Sequence, residues 1–308
     1  MAQPESRWLG VDIGGTKLAV RVETDSGEWT TTLRWPAGDV AADLAALRDV
    51  VLTARRQAGG PFDRVAVAAA PTLDPAGTVV AWPSRPSWVG AALTEVLANA
   101  AGGPVLTVDD GSLAALAEAH AGGCADLVYL GLGTGLGGGL VLGGRLILGA
   151  YGGAGELGHL PVQPAGPPCR CGRRGCLQAR VSGAALAHRA GRLRGRDTST
   201  GELVAGAAEG RRWALRVVDE AAGTLARAIL AVSELVQPAE VRIGGGLGAA
   251  LPLLPARVAA ALAPMGRPGH RLPLVGSGRL GESASLAGAA LLARNPALAE
   301  LARPAEAH

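Results

Sequence analysis

One segment of the chain, residues 155–178, brings together a carboxylate, an imidazole and three thiols in the sequence GELGHLPVQPAGPPCRCGRRGCLQ. One His and three Cys form a complete ligand set for a tetrahedral structural Zn²⁺: His159, Cys169, Cys171 and Cys176. Prolines and glycines between these residues allow the chain to fold back so that the four ligands converge. Glu156 is not needed for the metal. The segment therefore predicts a zinc site that is either purely structural or also supports a substrate site beside Glu156.

A glycine turn near the N-terminus offers backbone groups to an anion. The sequence WLGVDIGGTKLAVRVE predicts two apolar strands joined by a turn, with these polar and glycine positions: Asp12, Gly14, Gly15, Thr16 and Lys17. Such a turn exposes N–H groups to phosphate oxygens, and a carboxylate at the strand end can hold Mg²⁺ through water. The spacing of a P-loop is absent. An ordinary Gly-Gly hairpin turn is the alternative.

Two further glycine runs follow predicted strands. The first, residues 131–139, contains Gly133, Thr134 and Gly135, and its match to the N-terminal turn favours a second phosphate-binding loop. A flexible loop of low complexity is the alternative. The second run contains Gly245 and Gly246 between a strand and a helix. It permits close approach of a flat ligand, or of the helix itself.

Two adjacent acids, Asp109 and Asp110, lie where a predicted strand ends and a helix begins, with Ser112 directly after them. Asp is a favoured residue at a helix N-terminus, where its side chain caps backbone N–H groups. The alternative is a general base that takes a proton from a substrate hydroxyl. Taken alone, this pattern favours the helix cap.

Composition narrows the class of protein. The chain has 308 residues, of which 48% are hydrophobic and only 3% aromatic, so its core is built from small aliphatic residues. The net charge is +3 and no basic stripe with interleaved aromatics is present, so nucleic-acid binding is not indicated. Neither a secretory signal nor a long apolar segment is evident, so we expect no membrane association. Three clustered cysteines at metal spacing predict a reduced, cytoplasmic protein.

Strands and helices alternate along the sequence, which predicts an α/β fold. Helical spacing of apolar residues predicts helices over 40–58, 91–101, 112–122, most of 182–236 and 283–293. Short buried strands are predicted over 64–70 and 104–108. The strand–glycine turn–strand unit occurs twice, near 9–20 and 127–142, which predicts a duplicated architecture.

Four motifs in this order, DIGGTK, GLGTGLGGG, GELGH and CRCGRRGC, resemble those of the ROK family of sugar kinases in the actin-like ATPase superfamily. The resemblance covers about residues 7–293. It implies an actin-like ATPase (ribonuclease H-like) α/β fold with two domains around a nucleotide cleft. Residues 1–110 would form an N-terminal domain, completed by a C-terminal helix over about 286–303. Residues 111–285 would form a larger domain that carries the zinc loop.

The same resemblance implies a role for each motif. Asp110 would be the catalytic base, and Mg²⁺ would sit near Asp12. The ATP phosphates would lie against Gly14–Lys17 and Gly133–Gly135, with Gly245 and Gly246 near the adenosine. Glu156 and His159 would contact acceptor hydroxyls while His159 also binds zinc, which fixes one ring nitrogen and leaves the other for the substrate. Members of the family are usually homodimers or homotetramers.

Four positions depart from the pattern expected for kinases of ordinary hexoses: Ser84, Asp109, Ser112 and Gln178, which stand where the pattern has Asn, Asn, Asn and Glu. The first lies in Pro83-Ser84-Arg85-Pro86-Ser87-Trp88, where the pattern reads P-N-L-P-G-W. The machinery for phosphoryl transfer is retained, whereas groups that would contact the acceptor have changed. We therefore expect a kinase of a sugar-like polyol, favouring a C7-cyclitol of the valiolone or valienone type. A kinase of glucose, another hexose or an N-acylhexosamine is the alternative.

Two functions of other classes are less favoured. Sugar-responsive repressors that resemble this chain carry a helix-turn-helix before the first phosphate loop, and the position of Asp12 is not expected to leave room for one. A non-catalytic sugar sensor would not need the acid that Asp110 provides.

Overall fold

The computed structural model describes residues 5–36, 39–82, 85–150 and 152–301. These residues form two compact units. The first contains the chain up to Leu113 and from Ser285 onward, and the second contains Ala114–Ala284. The sequence predicted two domains, 1–110 and 111–285. Whether these units are separate domains stays a prediction. Among the described residues, no helix has the length and apolar character needed to cross a bilayer.

The strands of the first unit come early in the chain and those of the second follow. Their bounds are β1 Arg7–Ile13, β2 Lys17–Thr24, β3 Gly27–Arg34, β4 Arg64–Ala68, β5 Thr72–Leu73, β6 Val79–Ala81, β7 Val105–Val108, β8 Leu127–Leu132, β9 Leu136–Leu142, β10 Arg145–Leu146, β11 Glu240–Gly244 and β12 Leu274–Ser277.

The helices alternate with these strands. Their bounds are α1 Val40–Gln57, α2 Leu93–Ala101, α3 Asp110–Gly122, α4 Gln178–Val181, α5 Gly183–Arg194, α6 Thr200–Ala208, α7 Arg212–Val236, α8 Gly245–Ala250, α9 Leu254–Leu262, α10 Ala284–Arg294 and α11 Pro296–Leu301. The predicted helices over 40–58 and 91–101 are confirmed to within two residues.

Each unit is built on one five-stranded mixed sheet, and the two sheets have the same topology. The first has the order β3-β2-β1-β4-β7 and the second the order β10-β9-β8-β11-β12. In both, an antiparallel hairpin, β1–β2 or β8–β9, is extended by a third antiparallel strand on one side. Two parallel strands extend it on the other side. The duplicated architecture predicted from the two glycine hairpins is confirmed.

Small aliphatic side chains fill both cores. In the first unit they surround β1, β2 and β4 with α1 and α2, and the largest buried groups are Trp88 and Phe62. In the second unit, the 25-residue helix α7 contributes most of its buried alanines, valines and leucines to the core beside β8 and β11. One close contact within the first unit requires glycine. A Cβ at Gly288 of α10 would lie 2.0 Å from the Leu113 carbonyl oxygen.

The C-terminal helix differs from its prediction. A single helix over about 286–303 was expected, whereas α10 ends at Arg294 and α11 begins at Pro296. Asn295 separates them, and its side-chain oxygen accepts hydrogen bonds from the N–H groups of Ala297 and Leu298 at 3.1 and 3.3 Å. Proline lacks an N–H and disfavours helical geometry in the residue before it, so the break follows from the Asn-Pro pair.

Candidate functional site

Two carboxylates lie at the same edge of the first sheet. Asp12 is the penultimate residue of β1, and Asp110 begins α3 just after β7. Both strands run parallel to β4 between them, so their carboxyl ends meet at one edge. Burial and then the Asp110 charge raise the pKa of Asp12 to about 6, against the lowering effects of Ser285 and Lys17.

Asp110 is half-buried, and burial raises its pKa above the usual range for Asp. The N–H groups of Gly111 and Asp110 itself act in the opposite direction by favouring the carboxylate. A carboxylate whose pKa is raised above the usual range, and which is held at a helix start, is suited to general-base work.

The other two polar residues at this helix start have different surroundings. An Asp109 carboxylate oxygen accepts a hydrogen bond from the Ser112 N–H at 3.0 Å, which is the helix-capping contact that the sequence favoured. Ser112 is fully buried, and its hydroxyl has no hydrogen-bond partner within the part of the chain that the structure describes. A contact of Ser112 or Asp109 with an acceptor stays a prediction. Ser84 lies outside the described residues.

The second unit holds the other glycine loop. The turn between β8 and β9 is closed by a hydrogen bond from the Gly133 N–H to the Gly135 carbonyl at 3.0 Å. The Gly183 N–H at the start of α5 donates to the Gly133 carbonyl at 2.9 Å. Gly245, with φ +75°, begins α8 so close to this loop that a Cβ would lie 2.4 Å from the Leu132 carbonyl oxygen. The structure therefore brings Gly245 to the loop by backbone packing.

The four predicted zinc ligands converge in the second unit. The ligand atoms of His159, Cys169, Cys171 and Cys176 all lie within 4.8 Å of one another. The chain folds back through two isolated bridges, Pro161 with Cys176 and Pro168 with Arg174. At Gly175, where φ is +72°, a Cβ would lie 1.6 Å from the Gln163 carbonyl oxygen, so only glycine fits this reversal.

The distances within this cluster fit a tetrahedral zinc ion. With zinc–sulfur bonds of about 2.3 Å, two sulfur ligands are separated by about 3.8 Å. The Cys171 and Cys176 sulfurs lie 3.7 Å apart, and the Cys169 sulfur lies 3.8 Å from His159 Nδ1. Hydrogen bonding from the Arg173 N–H lowers the pKa of Cys171 to about 6, which favours the thiolate that metal binding needs.

Two predicted acceptor contacts adjoin this cluster. Glu156 is exposed and directly precedes the 3-10 turn Leu157–His159. The His159 N–H donates to the Glu156 carbonyl at 3.0 Å, so the two residues share one turn. Gln178 begins α4, and its amide nitrogen lies 3.2 Å from the Cys169 sulfur and 3.4 Å from His159 Nδ1. Gln178 thus contacts the metal-ligand set itself, and its predicted role toward an acceptor stays a prediction.

Comparison with known proteins places these features in one family. Residues 8–296 match the model of the ROK family. The kanosamine kinase of Amycolatopsis mediterranei is 43% identical over 291 residues, which cover 92% of this chain and 95% of that relative. The N-acetylmannosamine kinase of Citrobacter koseri is 36% identical over 79% of this chain and 84% of its own length. This chain belongs to the ROK family.

A solved structure supports the same assignment. The ROK family glucokinase of Streptomyces griseus, in complex with glucose and AMPPNP, superimposes with a TM-score of 0.80 at 28% identity. The match covers 94% of this chain and 99% of the glucokinase. The resemblance stated from the sequence is confirmed, and so is the actin-like ATPase fold.

Sequence reasoning assigned no role to three residues that contact the predicted site: Trp35, Arg85 and Ser285. In the first unit, Arg85 and Trp35 both donate hydrogen bonds to the carbonyl of Gly14 in the N-terminal glycine turn. Ser285, at the start of α10, donates to Asp12. One signal was available: in a chain with 3% aromatics, Trp35 precedes α1 and Trp82 and Trp88 follow it.

Proposed function

We propose that this ROK-family sugar kinase transfers the γ-phosphoryl group of ATP to a hydroxyl of an amino sugar, with kanosamine as its first candidate acceptor. Two carboxylates, Asp12 and Asp110, at one sheet edge beside the Gly14–Lys17 turn are the observation that carries the kinase chemistry. The 43% identity with a kanosamine kinase supports this choice of acceptor.

In the proposed reaction, Asp110 accepts the proton of the acceptor hydroxyl. The freed oxygen bonds to the γ-phosphorus while the bond from that phosphorus to the β–γ bridging oxygen breaks, and ADP leaves. Asp12 would hold Mg²⁺ through water, and the ion would neutralise charge that develops on the phosphate oxygens. The turn Gly14–Lys17 and the loop Gly133–Gly135 would donate N–H groups to the phosphates. Gly246, beside Gly245, stays our candidate for the adenosine site.

Asp109 is the residue that we connect with an amino sugar. The family pattern has Asn at this position, whose amide both donates and accepts hydrogen bonds, whereas the Asp109 carboxylate only accepts them. A protonated amine is the matching partner, because a hydrogen bond between two charged groups is worth about 1.5–3 kcal/mol against about 1 kcal/mol for a neutral pair. The helix-capping bond to the Ser112 N–H occupies one oxygen of Asp109.

A C7-cyclitol acceptor is the second candidate. It is favoured by Gln178, which presents a neutral amide where the family pattern has a carboxylate. Such a change removes a charged acceptor of hydroxyl hydrogen bonds and would weaken binding of a plain hexose. Valiolone-type cyclitols therefore belong in the acceptor panel.

Zinc would hold the zinc segment, residues 155–178, in place. With Nδ1 of His159 facing the Cys169 sulfur, zinc would fix the ring and leave Nε2 for an acceptor hydroxyl beside Glu156. We place the protein in the cytoplasm, where thiolate ligands stay reduced. A homodimer or homotetramer is the assembly that we expect.

A coupled assay of ADP release tests this proposal. The panel contains kanosamine, glucose, N-acetylmannosamine and a valiolone-type cyclitol, each with wild-type protein and with Asp110→Asn. We expect the highest kcat/KM on kanosamine and loss of turnover in the variant while nucleotide still binds. A preference for the cyclitol or for glucose would refute the amino-sugar acceptor, and appreciable turnover by Asp110→Asn would refute the base assignment.

A further inference from the structure

The turn between β1 and β2 has all of its carbonyl groups bound by the rest of the first unit. The Gly14 carbonyl accepts hydrogen bonds from the Trp35 indole N–H at 2.9 Å and from Arg85 Nη2 at 3.1 Å. The Gly15 carbonyl accepts from the same Arg85 nitrogen at 3.1 Å. The Thr16 carbonyl accepts from the Trp35 backbone N–H at 3.4 Å. Three successive carbonyls are therefore bound by two side chains, those of Trp35 and Arg85, and by the Trp35 backbone N–H just after β3.

This arrangement determines where the N–H groups of the turn point. In a planar trans peptide the C=O and the following N–H lie on opposite sides of the chain. With the carbonyls of Gly14 and Gly15 directed at Arg85, the N–H groups of Gly15 and Thr16 point away from it. Both residues are exposed, and a Cβ added to Gly15 would meet nothing within 4 Å. Two donors thus face open space, as an anion site requires.

Arg85 itself is held rigidly. Its side chain is only 8% exposed, and Nη1 donates to the Asp43 carboxylate at 2.9 Å. The Trp88 indole donates to the same Asp43 oxygen at 3.1 Å. The guanidinium carbon also lies 4.2 Å from the ring centre of Trp35, 5.1 Å from that of Trp88 and 5.9 Å from that of Trp82. The ion pair and the two nearer rings, Trp35 and Trp88, together hold the guanidinium in one orientation.

We infer that Arg85 is a positioning residue for the phosphate-binding turn. It holds the Gly14 and Gly15 carbonyls on one side of the turn, so that the Gly15 and Thr16 N–H groups point toward the nucleotide phosphates. This inference rests on the proposed function. The planar fork reaches two successive carbonyls and a carboxylate at once, which a lysine cannot do.

The decisive measurement is the affinity for Mg·ADP without acceptor, by isothermal titration calorimetry. Two matched variants separate the hydrogen bonds from packing. Trp35→Phe removes the indole N–H that binds the turn and keeps an aromatic ring. Trp82→Phe makes the same change in the same cluster, but Trp82 is not among the donors to the turn. We expect Trp35→Phe to raise the Kd about 3- to 10-fold and Trp82→Phe to leave it within about twofold.

Arg85→Leu and Arg85→Lys complete the test. We expect both to raise the Kd for Mg·ADP and the KM for ATP by more than about tenfold, because each loses the bonds to two carbonyls. The KM for the acceptor should change less. If Arg85→Leu does not fold, the tryptophan pair still decides.

Three outcomes have distinct meanings. Unchanged nucleotide affinity in a folded Arg85→Leu would overturn the inference, and so would equal losses in Trp35→Phe and Trp82→Phe. Wild-type protein that binds Mg·ADP through Arg85 but phosphorylates no acceptor would refute the proposed function and support the inference.

Discussion

The Ser285 hydroxyl donates a hydrogen bond to the Asp12 carboxylate across 2.8 Å, although 273 positions separate the two residues in the chain. Ser285 is the second residue of α10, and Asp12 lies near the end of β1. The bond stabilises the charged form of Asp12 against burial and against the charge of Asp110. A helix from the end of the chain thus tunes a carboxylate near its beginning.

Removal of this hydroxyl should change the pH dependence of activity. Ser285→Ala loses a bond to the charged form, so the pKa of Asp12 should rise above its value of about 6 by about one unit. The acid limb of kcat/KM should then move to higher pH, with a larger loss of activity at pH 6 than at pH 8. Profiles from pH 5 to 9 check this.

Ser283→Ala is the matched control for that profile. Among the residues that the structure describes, the Ser283 hydroxyl donates to the Leu280 carbonyl at 2.8 Å and has no bond to Asp12. Its profile should coincide with that of the wild type. Identical profiles for Ser285→Ala and wild type would mean that Asp12 protonation does not limit activity.

The raised pKa also predicts a gain in stability when the charge is removed. A pKa shift from 3.8 to about 6 in Asp12 corresponds to about 3 kcal/mol of destabilisation when the group is charged. The folded state binds this proton more tightly than the unfolded state, so the penalty is complete above pH 6 and vanishes below about pH 3.8. Asp12→Asn should therefore be more stable than wild type at pH 8 by about 2–3 kcal/mol. It should also be inactive, because it lacks the carboxylate that would hold Mg²⁺.

Urea unfolding at pH 8 and at pH 4, with EDTA and without nucleotide, measures that difference. The gain should shrink toward zero at the lower pH. A stability difference that is the same at both pH values would show that it does not arise from ionisation of Asp12.

Local features of this fold could be predicted from the sequence, and distant contacts could not. The hairpin around Gly14 and the cap that Asp109 provides involve neighbours within three residues or one turn, where residue type alone is informative. The bond from Arg85 to Gly14 joins residues 71 positions apart and depends on how α1 and the tryptophans pack. The break at Asn295 was readable, because Asn-Pro is a known helix boundary.

The zinc segment shows the same division. Ligand types and spacing predicted which four side chains converge, because the loop is short and rich in turns. The position of Gln178 was not predicted. Its contact with the Cys169 sulfur depends on where α4 begins after the loop.

Metal content should follow the predicted ligands. Wild-type protein should carry about one zinc per chain, and Cys176→Ser should lose it together with thermal stability, since structural zinc contributes folding free energy. Cys124→Ser is the control, because Cys124 donates to the Asp126 carbonyl and lies outside the cluster. It should keep the metal. Elemental analysis and thermal unfolding of the three proteins check this, and a wild-type protein free of zinc after growth with the metal would refute the site.

Acceptor choice should depend on the charge at position 109. Asp109→Asn keeps a good helix cap, so its melting temperature should stay near that of wild type. The loss of the carboxylate should lower kcat/KM for kanosamine about tenfold, because a charged hydrogen bond becomes a neutral one, and leave glucose little changed. The ratio of the two kcat/KM values, measured at pH 7, reports this directly.

Asp109→Ala separates capping from charge in that experiment. It removes the acceptor for the Ser112 N–H as well as the carboxylate, so it should cost about 1 kcal/mol of stability in addition to the change in specificity. If Asp109→Asn retains the wild-type ratio while Asp109→Ala loses it, the residue acts through the position of α3 and not through an ion pair with the acceptor. The amino-sugar assignment would then have to rest on groups in the zinc loop, among which Glu156 is the exposed carboxylate.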